Sequence, residues 1–221
     1  MLAAILLAAA VPVGAQQGFT FSQPDDAARL EREAREARVA EQLSTPCRAD
    51  LKNKKIMVIV GEQQSNGMVA ARQQNYGPHF DAINRRLKAL GLAIFTPEQI
   101  RRQVAQAEID AQFRNDPDAA LSASKRLGAS FVLRGLISSQ AIPNPLIAVN
   151  QVTVSMGFNL MASNGREIAT AEAHSASYAG SDVARMALTL VEERADEVVA
   201  SLYADYCRKA GLGAPRPAAK K

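Results

Sequence analysis

The sequence has no tryptophan, and aromatic residues make up only 5% of its 221 positions. An aromatic binding platform is therefore not built into it. Two His and two Cys make an all-protein zinc site barely attainable and are too few for a metal cluster. Gly and Pro, 13 and 10 in number, are too sparse for a low-complexity scaffold. No G-x-x-x-x-G-K-[ST] occurs, and no G-x-G-x-x-G follows a strand pattern; Gly211-Leu212-Gly213 has no helix after it. The G-x-S-x-G elbow and the H-E-x-x-H zinc motif are also missing. Neither charge sign dominates: 26 basic against 22 acidic residues leave +4. That excess sits at the C-terminal end, in Arg208, Lys209, Arg216, Lys220 and Lys221, so it is a tail and not a basic face for nucleic acid. What is present, 48% hydrophobic and 22% charged residues, is the composition of one globular domain with extensions.

Met1 to Val13 carries no charge and is apolar over about 12 residues, short of the roughly 20 that span a bilayer. Val13-Gly14-Ala15 offers the small residues of a cleavage site, although the usual basic n-region is missing. Residues 1–15 read as a signal peptide; a short apolar tail or an uncleaved anchor are the alternatives. No Cys lies near that site, which argues against a lipid anchor. Residues 16–46 read as a linker and a charged helix, 47–207 as an α/β domain, and 208–221 as a basic flexible tail. The tail is either a solubilising end or a weak contact with anionic membrane or cell wall. Cys47 and Cys207 flank the domain. In an oxidising compartment such an even pair reads as a disulfide, with separate thiols or pairing between molecules as the alternatives. The bridge would close a loop for which the chain-entropy model gives roughly 5 kcal/mol at most.

From Pro24 to Leu43, opposite charges recur at i,i+4 and the apolar stripe is thin. This segment is either a solvated arm or a docking or oligomerisation helix. Lys54–Val60 is a short apolar run, as in a buried central strand. Phe80, Ile83, Leu87 and Leu90 form one helical face that Gly91 ends. Leu92–Phe95 reads as a second strand. Thr96-Pro97-Glu98-Gln99 is a capping box opening a second helix, which Asp116-Pro117 restarts and Leu121, Ser124 and Leu127 carry on to Gly128. Phe131–Ser138 reads as a third strand, followed by a loop at 141–146. In 151–177 large and small residues alternate around Asn164-Gly165, the strongest two-residue hairpin signal. If that turn sets the register, Leu160 faces Ala169, Phe158 faces Ala171, Met156 faces Ala173 and Val154 faces Ser175. The other face then carries Asn159–Thr170 and Ser155–His174. Ser181 caps a last helix whose stripe is Val183, Ala187, Leu190, Val191, Ala195, Val198 and Leu202. The fold class is thus α/β: a βαβαββα mixed sheet with helices packed on it, an antiparallel hairpin at 151–177 and an N-terminal helical extension.

No catalytic pair can be nominated. His79 and His174 read as structural or exposed residues. Glu62 is the one acid placed beyond a strand's carboxyl end, where α/β sheets bind ligands, and alone it is a weak signal. Arg134, inside an apolar strand, either has a partner or marks an exposed end. Catalytic, cofactor and metal residues are expected to be none. Gly61–Tyr76 is a long polar stretch without periodicity, and such loops carry function. Its Gln63, Gln64, Asn66, Arg72, Gln73 and Gln74 are the candidate partner-binding residues; a plain surface loop is the alternative.

The segment from Leu127 to Ile137, Leu-Gly-Ala-Ser-Phe-Val-Leu-Arg-Gly-Leu-Ile, resembles a strand of bacterial envelope domains. The hairpin Val152–Ala173, with Ala162-Ser163-Asn164-Gly165-Arg166-Glu167-Ile168-Ala169, is similar to their turn element. That superfamily includes curli secretion channels, activator lipoproteins of penicillin-binding proteins, flagellar assembly ring proteins and the amino-terminal domain of the Tol propeller protein. The resemblance spans roughly residues 54–206. The family's Asp-x-x-Thr-Gly turn is Ala162-Ser163-Asn164-Gly165 here, so its Asp and Thr are absent. The resemblance implies a non-enzymatic, periplasmic structural or interaction protein, exported and outer-membrane associated at most. It would bind envelope protein partners, with a homo-oligomer as one form, and serve a flagellar, pilus or secretion assembly. The alternative is a periplasmic activator of a cell-wall synthesis enzyme.

Overall fold

The computed structural model describes residues 26–63, 69–70, 77–114 and 117–210. Two helices precede the sheet, α1 (Asp26–Ser44) and α2 (Arg48–Leu51). The apolar run around Ile56–Ile59 becomes β1 (Lys55–Gln63), with all four of those residues buried. It pairs in parallel with a later strand, β4 (Phe131–Pro143), as a crossover requires, and helices cover both of its faces. It is longer than the sequence indicated. Glu62 and Gln63 continue it and pair antiparallel with a short β2 (Val69–Ala70), so the polar stretch is not loop throughout.

α3 (Pro78–Ala89) buries Phe80, Ile83 and Leu87. It stops where Gly91 enters the left-handed region at φ 94°. β3 (Ala93–Ile94) lies parallel to the start of β1. Thr96 Oγ1 accepts the Gln99 N–H, and Gln99 Oε1 accepts the Thr96 N–H at 2.8 Å, which caps α4 (Pro97–Gln103). The second helix of the sequence reading is three pieces: α4, α5 (Gln106–Phe113) and α6 (Pro117–Leu127). β4 (Phe131–Pro143), β5 (Asn150–Ala162) and β6 (Glu167–Ala179) are 13 residues each. The expected loop at 141–146 therefore begins inside β4, whose register with β5 runs on to Pro143↔Asn150. The chain ends in α7 (Val183–Lys209), capped by Asp182, whose side chain accepts from Arg185 N–H, and not by Ser181.

The hairpin register is the one the alternation indicated: Leu160↔Ala169, Phe158↔Ala171, Met156↔Ala173 and Val154↔Ser175. Its turn differs. Gly165 takes φ 84°, Asn164 stays out of the left-handed region, and Gly165 N–H reaches back to Ala162 O. A two-residue I′ turn needs positive φ at both central residues. The one-residue offset that results is taken up by a bulge between Leu160 and Met161.

The sheet order is β2-β1-β4-β5-β6, with β3 beside β1. One face, with Ile56, Val58, Leu133, Phe158 and the Ala row of β6, packs against α3 and α7. On the other face, among the described residues, helices cover β1 and the start of β4, where Met57, Ile59 and Val132 meet Ile100, Val104, Ile109 and Leu127 of the α4–α6 segment. α1 is docked, although no residue of it is buried. Glu31 lies 3.4 Å from Arg194, and the chain after α1 is bonded to the end of α7, so the two helices run parallel. Arg85 and Arg86 of α3 engage Glu192, two residues from Arg194. Residues two apart point to different sides of a helix, so α1 and α3 flank α7 on different sides.

Candidate interaction surface

Side chains alternate across a strand, so the long strands β4–β6 present a second face. Beyond the reach of α4–α6 no other described element covers that face. Cross-strand pairing sets its rows: Arg134–Asn159–Thr170, Leu136–Gly157–Glu172, Ser138–Ser155–His174, Gln140–Thr153–Ala176 and Ile142–Gln151–Tyr178. β1 adds Gly61 beside Leu136 and Gln63 beside Ser138. Gly157 has no side chain, and a Cβ there would meet nothing within 4 Å. The missing side chain leaves a hollow of about 280 Å³ between Leu136, Glu172, Arg134, Asn159, Thr170 and Phe113. The floor offers amide, hydroxyl and carboxylate groups around one leucine.

The far end of this face is apolar. Among the described residues six large hydrophobics are exposed, and five of them (Leu136, Ile142, Leu146, Ile147 and Tyr178) lie on the open face or on the β4–β5 tip beyond it. Leu146 is 90% exposed. The tip is held by Asn144, whose Oδ1 accepts from the N–H groups of Leu146 and Ile147 at 2.9 and 3.3 Å, while its own N–H donates to Val149 O. This is an Asx turn that fixes the backbone while leaving the two apolar side chains in solvent. Exposed apolar side chains gathered inside a polar rim mark contact sites; scattered single ones do not.

The structure shows two His pairs, one that the hairpin register already set opposite and one that the sequence left apart. His174 Nδ1 lies 3.0 Å from Ser155 Oγ on the open face. His79, in the first turn of α3, places Nδ1 2.9 Å from Glu62 Oε1. The Glu62 carboxyl is held below its usual range by that hydrogen bond, against the opposing effect of burial. The two pairs point to opposite faces of the sheet, so they do not converge on one substrate position. Among the described residues no group of three His, Cys, Asp or Glu comes together as a metal site. Of the partner-binding candidates, Gln63 is exposed at the end of β1. Gln64, Asn66, Arg72, Gln73 and Gln74 lie outside the described residues, as do the proposed signal peptide and residues 211–221 of the tail. Arg134 is half-buried at the hollow.

A second polar cluster ties the segment before β1 to the end of α7. Cys47 and Cys207 are joined, with their Cα atoms 5.8 Å apart. Beside them Tyr203 Oη accepts the Cys47 N–H at 3.2 Å and donates to Thr45 O. Tyr206 Oη donates to Asp50, and Lys54 Nζ reaches Asp50 at 2.8 Å and Tyr206 at 3.1 Å. Hydrogen bonds from Lys54 and then Tyr206 hold the Asp50 carboxyl below its usual range. Tyr203 and Tyr206 extend the buried stripe of α7 at helical spacing from Val199 and Leu202. That periodicity was the available signal for residues the sequence reading passed over.

No protein-family model matches this sequence, and no curated protein matches it. Solved structures similar to it include the LpoB C-terminal domain from Salmonella enterica, at 16% identity and TM-score 0.40 over 62% of this chain and 91% of that one. The PelC dodecamer from Paraburkholderia phytofirmans has 15% identity and TM-score 0.41, covering 69% of this chain and 88% of that one. A minor lipoprotein from Acinetobacter baumannii has 13% identity and TM-score 0.41, over 70% and 94%. No residue role passes from them to this chain.

Proposed function

We propose that this chain is a non-enzymatic protein of the bacterial envelope that acts by protein contact, through the open face of β4–β6 and the tip between β4 and β5, as a component of an envelope assembly. The observation that carries the reading is the placement, among the described residues, of five of the six exposed large hydrophobics on that one surface. A rigid scaffold beneath it is what interaction surfaces need: β5 is hydrogen-bonded on both sides along its length, and α7 packs behind. The disulfide between Cys47 and Cys207 supports an oxidising compartment such as the periplasm. The polar row Ser138–Ser155–His174 suits a rim of hydrogen bonds around an apolar anchor.

The test is a photo-crosslinking amino acid placed in cells at Leu136, Leu146 and Ile147, with Lys88 and Arg101 as controls on other surfaces. A discrete adduct to a different protein at the first three positions, absent at the controls, is the expected result. Adducts equal at all five positions, or co-sedimentation of the purified chain with lipid vesicles that Leu146→Asp abolishes, overturn the reading. The identity of the adduct also separates an assembly component from an activator of a cell-wall enzyme.

A further inference from the structure

β6 is the last strand of its sheet, and among the described residues no strand pairs with its outer edge. Folded proteins blunt such edges with short strands, Pro, Lys or inward-pointing charge. β6 has one bulge near its start, at Ile168, and past it uses none of these: it is 13 residues long and reads Glu-Ile-Ala-Thr-Ala-Glu-Ala-His-Ser-Ala-Ser-Tyr-Ala. Every second residue of an antiparallel edge turns both its N–H and its C=O outward, so about six residues offer both groups to another strand.

We propose that this edge pairs antiparallel with β6 of a second copy of the chain, centred on Ala173, to form one continuous sheet across a twofold axis. Symmetry and charge select the register. Side chains that share a face must pair with one another, so on the open face Thr170, Glu172, His174, Ala176 and Tyr178 meet their own kind of position. Centring on Glu172 sets two carboxylates side by side, which is destabilising. Centring on His174 leaves Glu172 opposite Ala176. Centring on Ala173 places Glu172 opposite His174 of the second copy, and the twofold axis makes that contact twice.

The side chains are prepared for it. Ser155 holds His174 through Nδ1 at 3.0 Å, and Nε2 has no hydrogen bond among the described residues. Glu172 is exposed and, among the described residues, has no ion pair within the chain. On the other face the meeting residues are Ala171, Ala173, Ser175 and Ser177, small enough for the edges to close to the usual spacing of about 4.8 Å. Backbone hydrogen bonds supply the association, as in strand addition generally. An exposed Glu–His pair contributes little energy, but it decides which register wins. This inference goes beyond the contact surface proposed above, which lies on the sheet face and hairpin tip and does not depend on it.

The experiment is sedimentation velocity of the full chain at near-neutral pH, over a concentration series from low micromolar to several hundred micromolar. A reversible monomer–dimer equilibrium is expected. His174→Glu, which sets carboxylates opposite one another twice, should weaken the dimer about five- to tenfold, and Glu172→Lys, which removes the acceptor facing His174 Nε2 twice, should weaken it about two- to threefold. The exchange E172H/H174E should return the dissociation constant to within about twofold of the parent, because the pairing is kept with its ends swapped. A monomer at every concentration overturns the proposal. So does a dimer indifferent to both single changes, or an exchange variant no better than the singles. Both positions are exposed, so thermal melts of the variants should match the parent. An adduct to a different protein at Leu146 and Ile147 in a chain that sediments as a monomer at every concentration overturns this pairing and leaves the proposed contact surface standing.

Discussion

Replacing Gly135 by Ala tests how tightly β4 and β5 are matched. Gly135 pairs directly with Phe158, and the ring lies over the glycine. A Cβ built on Gly135 would sit 2.2, 2.6 and 2.9 Å from Phe158 Cε1, Cδ1 and Cζ. Phe158 is 3% exposed and belongs to the main core, so its ring cannot swing into solvent and must push its neighbours. Overpacking of this kind costs about 1–3 kcal/mol. Ala in a strand recovers about 0.5–1 kcal/mol over Gly from the unfolded chain's lost freedom. The clash wins, with a net loss of about 1–2 kcal/mol and a Tm lower by roughly 2–8 °C. Gly157→Ala is the internal control. It lies on the same two-strand ribbon, its Cβ meets nothing within 4 Å, and it should be neutral or stabilising by about 0.5 kcal/mol. Combining Gly135→Ala with Phe158→Leu should cost less than the sum of the two single changes, because the smaller side chain vacates the space the new methyl needs. Urea unfolding of the four variants measures this. A Gly135→Ala protein as stable as Gly157→Ala, with no coupling to Phe158→Leu, would refute the reasoning.

The disulfide closes a 160-residue separation, so Cys47→Ser with Cys207→Ser should lower stability by about 2–5 kcal/mol; reducing agent should lower the parent's Tm similarly and leave the variant unchanged. Tyr203→Phe removes both the acceptor for Cys47 N–H and the donor to Thr45 O, and should cost about 1–3 kcal/mol by denaturant unfolding. Asp50 and Glu62 are both held below the usual carboxylate range. A depressed folded-state value stabilises above the unfolded value, about 4, and is lost as pH falls through the folded value. Tm measured from pH 7 down to pH 3 should therefore decline in the acid range, and more shallowly for Glu62→Gln; an unchanged slope would show that the His79 contact contributes nothing.

Alternation and helical spacing are local properties of the chain, and they carried the elements. The faces of α3 and α7 follow from residues that repeat every three or four positions, and the β5–β6 register from large residues facing small ones. The capping box at Thr96 was legible because both of its hydrogen bonds lie within four residues. The turn type was not, because a bulge two residues away could absorb an offset of one. The length of β4 was hidden too. Its second half, Ser139 to Pro143, is exposed and pairs only with β5, so no burial pattern marks it. The open face is a matter of what does not cover it: α4–α6 shield the start of β4 and stop, and no local signal in β4–β6 says so. Ser155 and His174 were already opposite in the hairpin register, but His79 meets Glu62 only once α3 packs beside the end of β1. By itself the sequence determined the order of elements, the hairpin register and the residues available for contact. Tertiary structure alone decided which of them share a surface, because that depends on the layer each element joins and not on its own periodicity.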